Sequence, residues 1–294
     1  LFLALFGCEL AYALNLSAPM PSDNFYVVGA LISLALSGAG LIASFFHLGR
    51  PERAWRSAAM WRTSWLSREV IVLPAFMTTT ALYALGHAMG WPFSLATGAV
   101  GAVLALALFV CTGMIYACLK FLQEWASPLT VINYLVLGCA SGLTLASAYA
   151  ALSEAELMRV MTALAIALTL TGLATRSASL LRNARLRPRS SLQTAIGIHH
   201  PRIAQRSQGL MGGSFNTREF FHHKTLQFLR SMKWTFLLLA FVLPVLLLAA
   251  GAATASALLL WLAFAVQYIG LLAERWYFVA QANHPQNLYY QTIS

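Results

Sequence analysis

A histidine and a glutamate stand at the two ends of one short connection. The stretch reads His47-Leu48-Gly49-Arg50-Pro51-Glu52-Arg53-Ala54-Trp55-Arg56, then Trp61-Arg62-Thr63-Ser64-Trp65-Leu66-Ser67-Arg68-Glu69. It joins two long apolar runs, so His47 closes one helix and Glu69 opens the next at a similar depth of one hairpin. A quinone carbonyl needs a hydrogen-bond partner, and its reduction needs a proton donor. An imidazole and a carboxyl at a membrane edge supply both. The same residues admit a structural reading, in which His47 caps its helix and Glu69 pairs with Arg68 or Arg50. Trp55, Trp61 and Trp65 fit an interfacial aromatic belt. We take His47, Arg50, Trp65 and Glu69 as the candidate quinone-binding set, and expect no catalytic residue of another kind and no metal site.

Other ionisable groups fall in or near the apolar runs. Glu9 lies well inside one of them, and an intramembrane carboxylate is a functional candidate by default; it is the candidate for a proton path, against a hydrogen-bonded structural role. Glu274-Arg275 reads as a local ion pair or a snorkelling pair. Haem needs axial ligands inside the spans. Of the seven histidines only His47 and His87 touch apolar runs, near opposite ends, so no haem is expected. The four cysteines, Cys8, Cys111, Cys118 and Cys139, all fall in apolar runs without a cluster-binding spacing, and read as packing residues.

The elements that position these groups follow from composition. The chain is 59% hydrophobic and 10% charged, whereas a soluble domain carries about 25% charged residues. Apolar runs near the ~20 residues of a bilayer-spanning helix recur along it. The expected architecture is an all-α integral membrane protein, a single membrane domain over 1–294 with eight transmembrane helices. The first is the end of a helix over 1–14 whose start is missing. The others run over 25–47, 67–89, 93–122, 128–151, 156–181, 231–250 and 253–278, with a long cytoplasmic loop, 182–230, between helices six and seven. Pro128 suits a first helical turn, and Pro244 is tolerable in a packed bundle. Gly38, Gly40, Gly98, Gly101, Gly138 and Gly142 suit close helix contact in lipid.

Charge orients this bundle. Eighteen of the 19 lysines and arginines fall on the side of the connections after helices two, four and six and the end of helix eight; only Arg159 falls on the other. The positive-inside rule places the basic side in the cytoplasm, with both termini. The net charge of +10 lies in loops between spans, which excludes a nucleic-acid reader; anionic lipid accounts for part of it. The loop 182–230 is too rich in Phe, Ile, Met and Leu for a disordered tail. Its Gly197-Ile198-His199-His200-Pro201-Arg202-Ile203 and Met211-Gly212-Gly213-Ser214-Phe215-Asn216-Thr217-Arg218-Glu219-Phe220-Phe221 mix arginine, aromatic and glycine as a docking surface does. Arg53, Arg56, Arg202, Arg206, Phe215, Arg218 and Phe220 are the candidate partner-docking residues; a loop folded over its own bundle is the alternative.

With these residues in view, the chain resembles the membrane-anchor subunit family of dimethyl-sulfoxide-reductase-type molybdoenzymes. The likeness covers most of the chain. His47, Gly49, Pro51, Ser67 and Glu69 stand in the family's pattern of a span, His-Leu-Gly-Arg-Pro, an arginine-rich loop, Ser-Arg-Glu and a span. The last helix departs from the family's Glu–Gly–Arg-type signature, with Gly270 and Glu274-Arg275 in its place. The resemblance implies a quinone or quinol site at His47 and Glu69, with ubiquinone or menaquinone as cofactor. It also implies no haem, and an iron–sulfur electron-transfer subunit bound to a molybdopterin catalytic subunit. The long loop is similar to the branch found in cytoplasmic sulfite-oxidising complexes. The expectation is therefore an anchor in a bacterial inner membrane that passes electrons from sulfite oxidation in cytoplasmic partners to quinone. A quinol-oxidising anchor of an S- or N-oxide reductase is the alternative, and a transporter or scaffold without a redox role the different-class one.

Overall fold

The computed structural model describes residues 1–16, 21–46, 48–204, 206–207 and 225–289, without the side chains of 226, 288 and 289. These residues form helices and no strand: α1 (Phe2–Ala13), α2 (Asp23–Phe45), α3 (Trp65–Ala88), α4 (Ser94–Ala117), α5 (Pro128–Ala150), α6 (Ala155–Ala184), the short α7 (Leu192–Ile196), α8 (Leu226–Leu237), α9 (Leu243–Thr254), α10 (Ala257–Ala280) and α11 (Pro285–Tyr289). Seven helices are long and apolar enough to cross a membrane, with α8 and α9 running as one; α1, at 12 residues, is shorter. Their outer faces expose Leu31, Ile42, Val103 and Leu258. A helix apolar on its outside as well as its inside belongs in lipid.

Local chemistry sets the helix starts. Ser22, Ser64, Ser127 and Ser256 each accept a hydrogen bond from a backbone N–H of the first turn they precede, satisfying groups that a helix start leaves open. Pro128 sits in the first turn of α5 as expected. Between α2 and α3 the connection winds into a 3₁₀ turn, Pro51–Ala58, begun by Pro51. The seven long helices alternate in direction along the chain. The ends of α2, α4, α6 and α10 and the starts of α3, α5 and α8 therefore share one edge, the arginine-rich one.

The main core lies around α1. Phe2, Leu5 and Cys8 pack with Tyr26, Phe76, Tyr83 and Tyr149 from α2, α3 and α5. Gly98, Gly101, Gly138 and Gly142 approach neighbours so closely that a Cβ would collide, whereas Gly38 touches only Met77 and Gly40 faces open space.

Three boundaries differ from expectation. First, α4 stops at Ala117, not Leu122. The apolar Phe121-Leu122 looks helical in sequence, but Leu122 and Trp125 are buried in a bent connection, where Trp125 Nε1 donates to the Phe278 carbonyl at 3.0 Å. Second, α6 runs on to Ala184. Third, the expected helix seven starts earlier, at Leu226, and ends at Thr254, with a π turn over Leu238–Val242. Pro244 has no N–H to give the Ala240 carbonyl and would clash with it in a regular helix, so the wider turn accommodates the ring. Gln267 Nε2 reaches that carbonyl at 3.4 Å instead. Gly270 lets α10 touch this turn, since a Cβ there would strike the backbone of Leu239 and Ala240.

Candidate functional site

At the arginine-rich edge, α3 begins at Trp65 under the Ser64 cap, and Glu69 follows one turn later on the same face. Glu69 is half-buried. The Thr112 hydroxyl, from α4, donates to Glu69 Oε1 at 2.5 Å. Among the described residues Glu69 forms no ion pair and its second oxygen has no hydrogen bond, so it pairs with neither Arg68 nor Arg50. Arg68 is committed elsewhere. Its Nε donates to the Trp61 carbonyl at 3.0 Å, its Nη2 to that of Arg62 at 2.9 Å, and its guanidinium covers Trp65 at 4.2 Å.

Thr112 has one hydrogen and two acceptors in reach, Glu69 Oε1 and, at 3.0 Å, the Leu108 carbonyl. With Glu69 ionised, the hydroxyl donates to the carboxylate. With Glu69 protonated, the carboxyl can donate to the hydroxyl oxygen while the hydroxyl hydrogen turns to Leu108. In either state Thr112 and one carboxyl oxygen of Glu69 stay hydrogen-bonded to each other, and the second oxygen stays open. Glu69 is thus a half-buried carboxyl with one open oxygen, with Trp65 one turn before it on the same helix, and Phe46 and Leu66 are exposed at the ends of α2 and α3 that flank the connection.

The other predicted residues scatter along this edge. Arg50 is exposed and precedes the 3₁₀ turn; no hydrogen bond or ion pair joins it to Glu69. Arg53 and Arg56 are exposed, Arg53 3.9 Å from Glu52 and Arg56 over Trp55 at 5.6 Å. Arg202 and Arg206 are exposed as well. His47, Phe215, Arg218 and Phe220 lie outside the described residues.

Two buried clusters were not assembled from the sequence. In the first, Glu274 of α10, read as a local pair with Arg275, also meets Arg176 of α6. Arg176 Nε lies 2.7 Å from Glu274 Oε1, and Arg275 Nε donates to Glu274 Oε2 at 2.5 Å. Arg176 is 1% exposed and Glu274 fully buried. Arg176 is thus an intramembrane group and not one of the loop cations it was counted with. Its position inside an apolar run was the available signal, as was the seven-residue spacing that puts Gln267 and Glu274 on one face of α10. Aromatic rings enclose the cluster: Tyr134 lies 4.1 Å from the Arg275 guanidinium, and Phe236 5.6 Å from that of Arg176.

The second cluster is at the opposite, arginine-poor edge. Glu9 accepts from the Tyr83 hydroxyl and the Ser94 hydroxyl, each at 2.7 Å. His87, at the end of α3, places Nδ1 3.0 Å from Asp23 Oδ1 and Nε2 3.5 Å from Glu9 Oε1, the latter an ion-pair distance without hydrogen-bond geometry.

Spans, edge and connection match a known pattern: the family model of the DMSO reductase anchor subunit (DmsC) matches residues 20–290. The chain belongs to the DMSO reductase anchor subunit family. It is 51% identical over 307 aligned positions to a sulfite dehydrogenase subunit of Allochromatium vinosum, covering 100% of this chain and 94% of that protein. No solved structure matches it. As a DMSO reductase-family anchor it is a multi-pass membrane subunit of an oxidoreductase complex, with catalytic and electron-transfer partners. Two residues of the family's pattern have visible structural tasks in this anchor. Pro51 begins the 3₁₀ turn, and Ser67, buried, gives its N–H to the Ser64 cap.

Proposed function

We propose that this anchor binds a membrane quinone, ubiquinone or menaquinone, at the arginine-rich edge beside Glu69, and passes to it electrons that partner subunits take from sulfite. The observation that carries the reading is the Thr112–Glu69 pair, a half-buried carboxyl with one oxygen held by a hydroxyl, the other open, and no ion pair among the described residues. A bound quinone supplies a two-electron, two-proton acceptor. Glu69 holds or releases a proton at that acceptor's edge, Thr112 fixes one of its oxygens, and Trp65, clamped under Arg68, provides a rigid aromatic wall. His47 offers a second hydrogen bond from the other end of the connection. Molybdopterin and iron–sulfur clusters belong to the partners, which dock over Arg53, Arg56, Arg202 and Arg206 and over Phe215, Arg218 and Phe220. The basic edge then faces the cytoplasm of a bacterial cell with both termini, as the distribution of lysine and arginine supports. The 51% identity to a sulfite dehydrogenase subunit supports sulfite as the donor.

The test is Glu69→Gln and His47→Ala in the assembled complex. Quinone-linked turnover falls by at least ~100-fold, in the range of general acid–base contributions, while sulfite oxidation with an artificial dye persists. Loss of dye activity as well overturns the assignment. The matched family is described by a reductase, which favours a second reading: quinol oxidation feeding an S- or N-oxide reductase. Following the partner's clusters separates the two, since only a sulfite-oxidising complex has them reduced by sulfite and reoxidised by quinone.

A further inference from the structure

The cluster at the arginine-poor edge is built as a row from water inward. Asp23, in the first turn of α2, has a side chain 65% exposed. His87 comes next, buried at the end of α3, and Glu9, buried on α1, is last. Cys8 of α1, Tyr26 of α2, Tyr83 of α3 and Ser94 of α4 complete the surroundings, with Glu154 before α6 the next carboxylate. The Tyr26 ring stacks on the imidazole at 4.4 Å and 15°, and its hydroxyl, buried, has no partner among the described residues. The row thus joins a buried carboxyl to water through a single imidazole. An intramembrane carboxyl that must change its charge needs such a link, because a proton reaches it only through groups that can carry one.

We propose that Asp23, His87 and Glu9 form a proton relay, through which Glu9 exchanges its proton with the aqueous phase at the arginine-poor edge. The imidazole is the carrier, because its two nitrogens face the two carboxyl groups. Inward, a proton on Asp23 passes to Nδ1, giving an imidazolium held between two carboxylates. Nε2 lies 3.5 Å from Glu9 Oε1, and its proton passes to the carboxylate when a small side-chain shift closes that gap to a hydrogen bond. The first transfer breaks an O–H bond of Asp23 and forms Nδ1–H, the second breaks Nε2–H and forms an O–H bond of Glu9, and outward both run in reverse with no net change in electrons. Tyr83 and Ser94, which donate to Glu9 when it is ionised, hold the carboxylate in place between visits. The relay rests on this geometry alone and is independent of the donor and of the quinone site at the other edge.

The experiment is infrared difference spectroscopy of the intact complex in vesicles of defined orientation, with a pH step applied to one face. The Glu9 carboxyl band is identified by its loss in Glu9→Gln and its shift in Glu9→Asp. The band is expected to answer a pH step at the arginine-poor face. It slows on the order of 100-fold in His87→Gln, which keeps a hydrogen-bonding side chain, and also slows in Asp23→Asn, whose exposed side chain leaves the packing unchanged. Assembly of each variant is checked by its melting temperature. A Glu9 band that ignores pH, that answers only at the arginine-rich face, or that moves at wild-type speed in either Asp23→Asn or His87→Gln overturns the relay.

Discussion

Removing the charge of Glu274 probes how this bundle keeps cations inside it. Glu274→Gln leaves Arg176 and Arg275 facing each other without a counter-charge. Their surroundings decide the magnitude. Arg275 has a side chain 31% exposed and can turn toward water, whereas Arg176 is 1% exposed and cannot. The loss is therefore that of one buried pair, about 3–5 kcal/mol. At roughly 2–4 °C per kcal/mol for chains of 150–250 residues, the melting temperature of the purified complex falls by on the order of 6–20 °C. Removing both members, Arg176→Met with Glu274→Met, takes away the buried charge together with its partner. Such replacements are often neutral, so the double variant melts near wild type and the coupling between the sites is of the same size as the single loss. A fall under ~2 °C in Glu274→Gln, which is the size of a surface pair, refutes the reasoning. So does a double variant that melts below both single ones.

Other outcomes follow from the same geometry. Thr112→Val removes the hydroxyl that serves Glu69 in both protonation states. Quinone-linked turnover falls while dye-linked turnover holds, and Thr112→Ser restores it; equal loss in both assays refutes the link. Gly270→Val drives a side chain into the backbone of the π turn and costs about 1–3 kcal/mol or more, read as lower melting or failed assembly. His284, outside the spans, is held by burial below its ordinary pKa of 6.5, and its Nδ1 accepts from the Gln286 N–H at 3.1 Å. The unfolded chain takes this proton more readily than the folded one. This contribution to stability is therefore present above about pH 6.5 and shrinks as pH falls. Hydrogen-exchange protection of the Gln286 amide should drop in that direction, and unchanged protection on acidification speaks against it.

The expected helix starts fall within about five residues of the observed ones, and Pro128 is the one start marker legible in the sequence; the serine caps, such as Ser64, emerge only with the structure. The sequence failed at Phe121-Leu122, where apolar residues are buried by a bent connection and not by a helix. Glu9 and Glu69 stood out because a carboxyl is rare in or beside an apolar run. Their partners did not, because these come from other helices: Thr112 looks like any span threonine, and Asp23 like a turn residue. Arg176 differs, since its place inside the expected span 156–181 was legible and only its partner Glu274, on another helix, was not.

The way Arg68 is held has a consequence for energy as well as for shape. Its N–H groups are given to the carbonyls of Trp61 and Arg62 and its face to Trp65, so its charge reaches Glu69 only as a field. Arg50, Arg53, Arg56 and Arg62 add to that field from the same connection, and none of them is bonded to the carboxyl. Positive potential without contact lowers the cost of added negative charge. Any group that accepts an electron at this edge becomes a better oxidant. Because exposed charges are screened beyond about 10 Å at 0.1 M salt, that bias toward the acceptor is tunable by ionic strength.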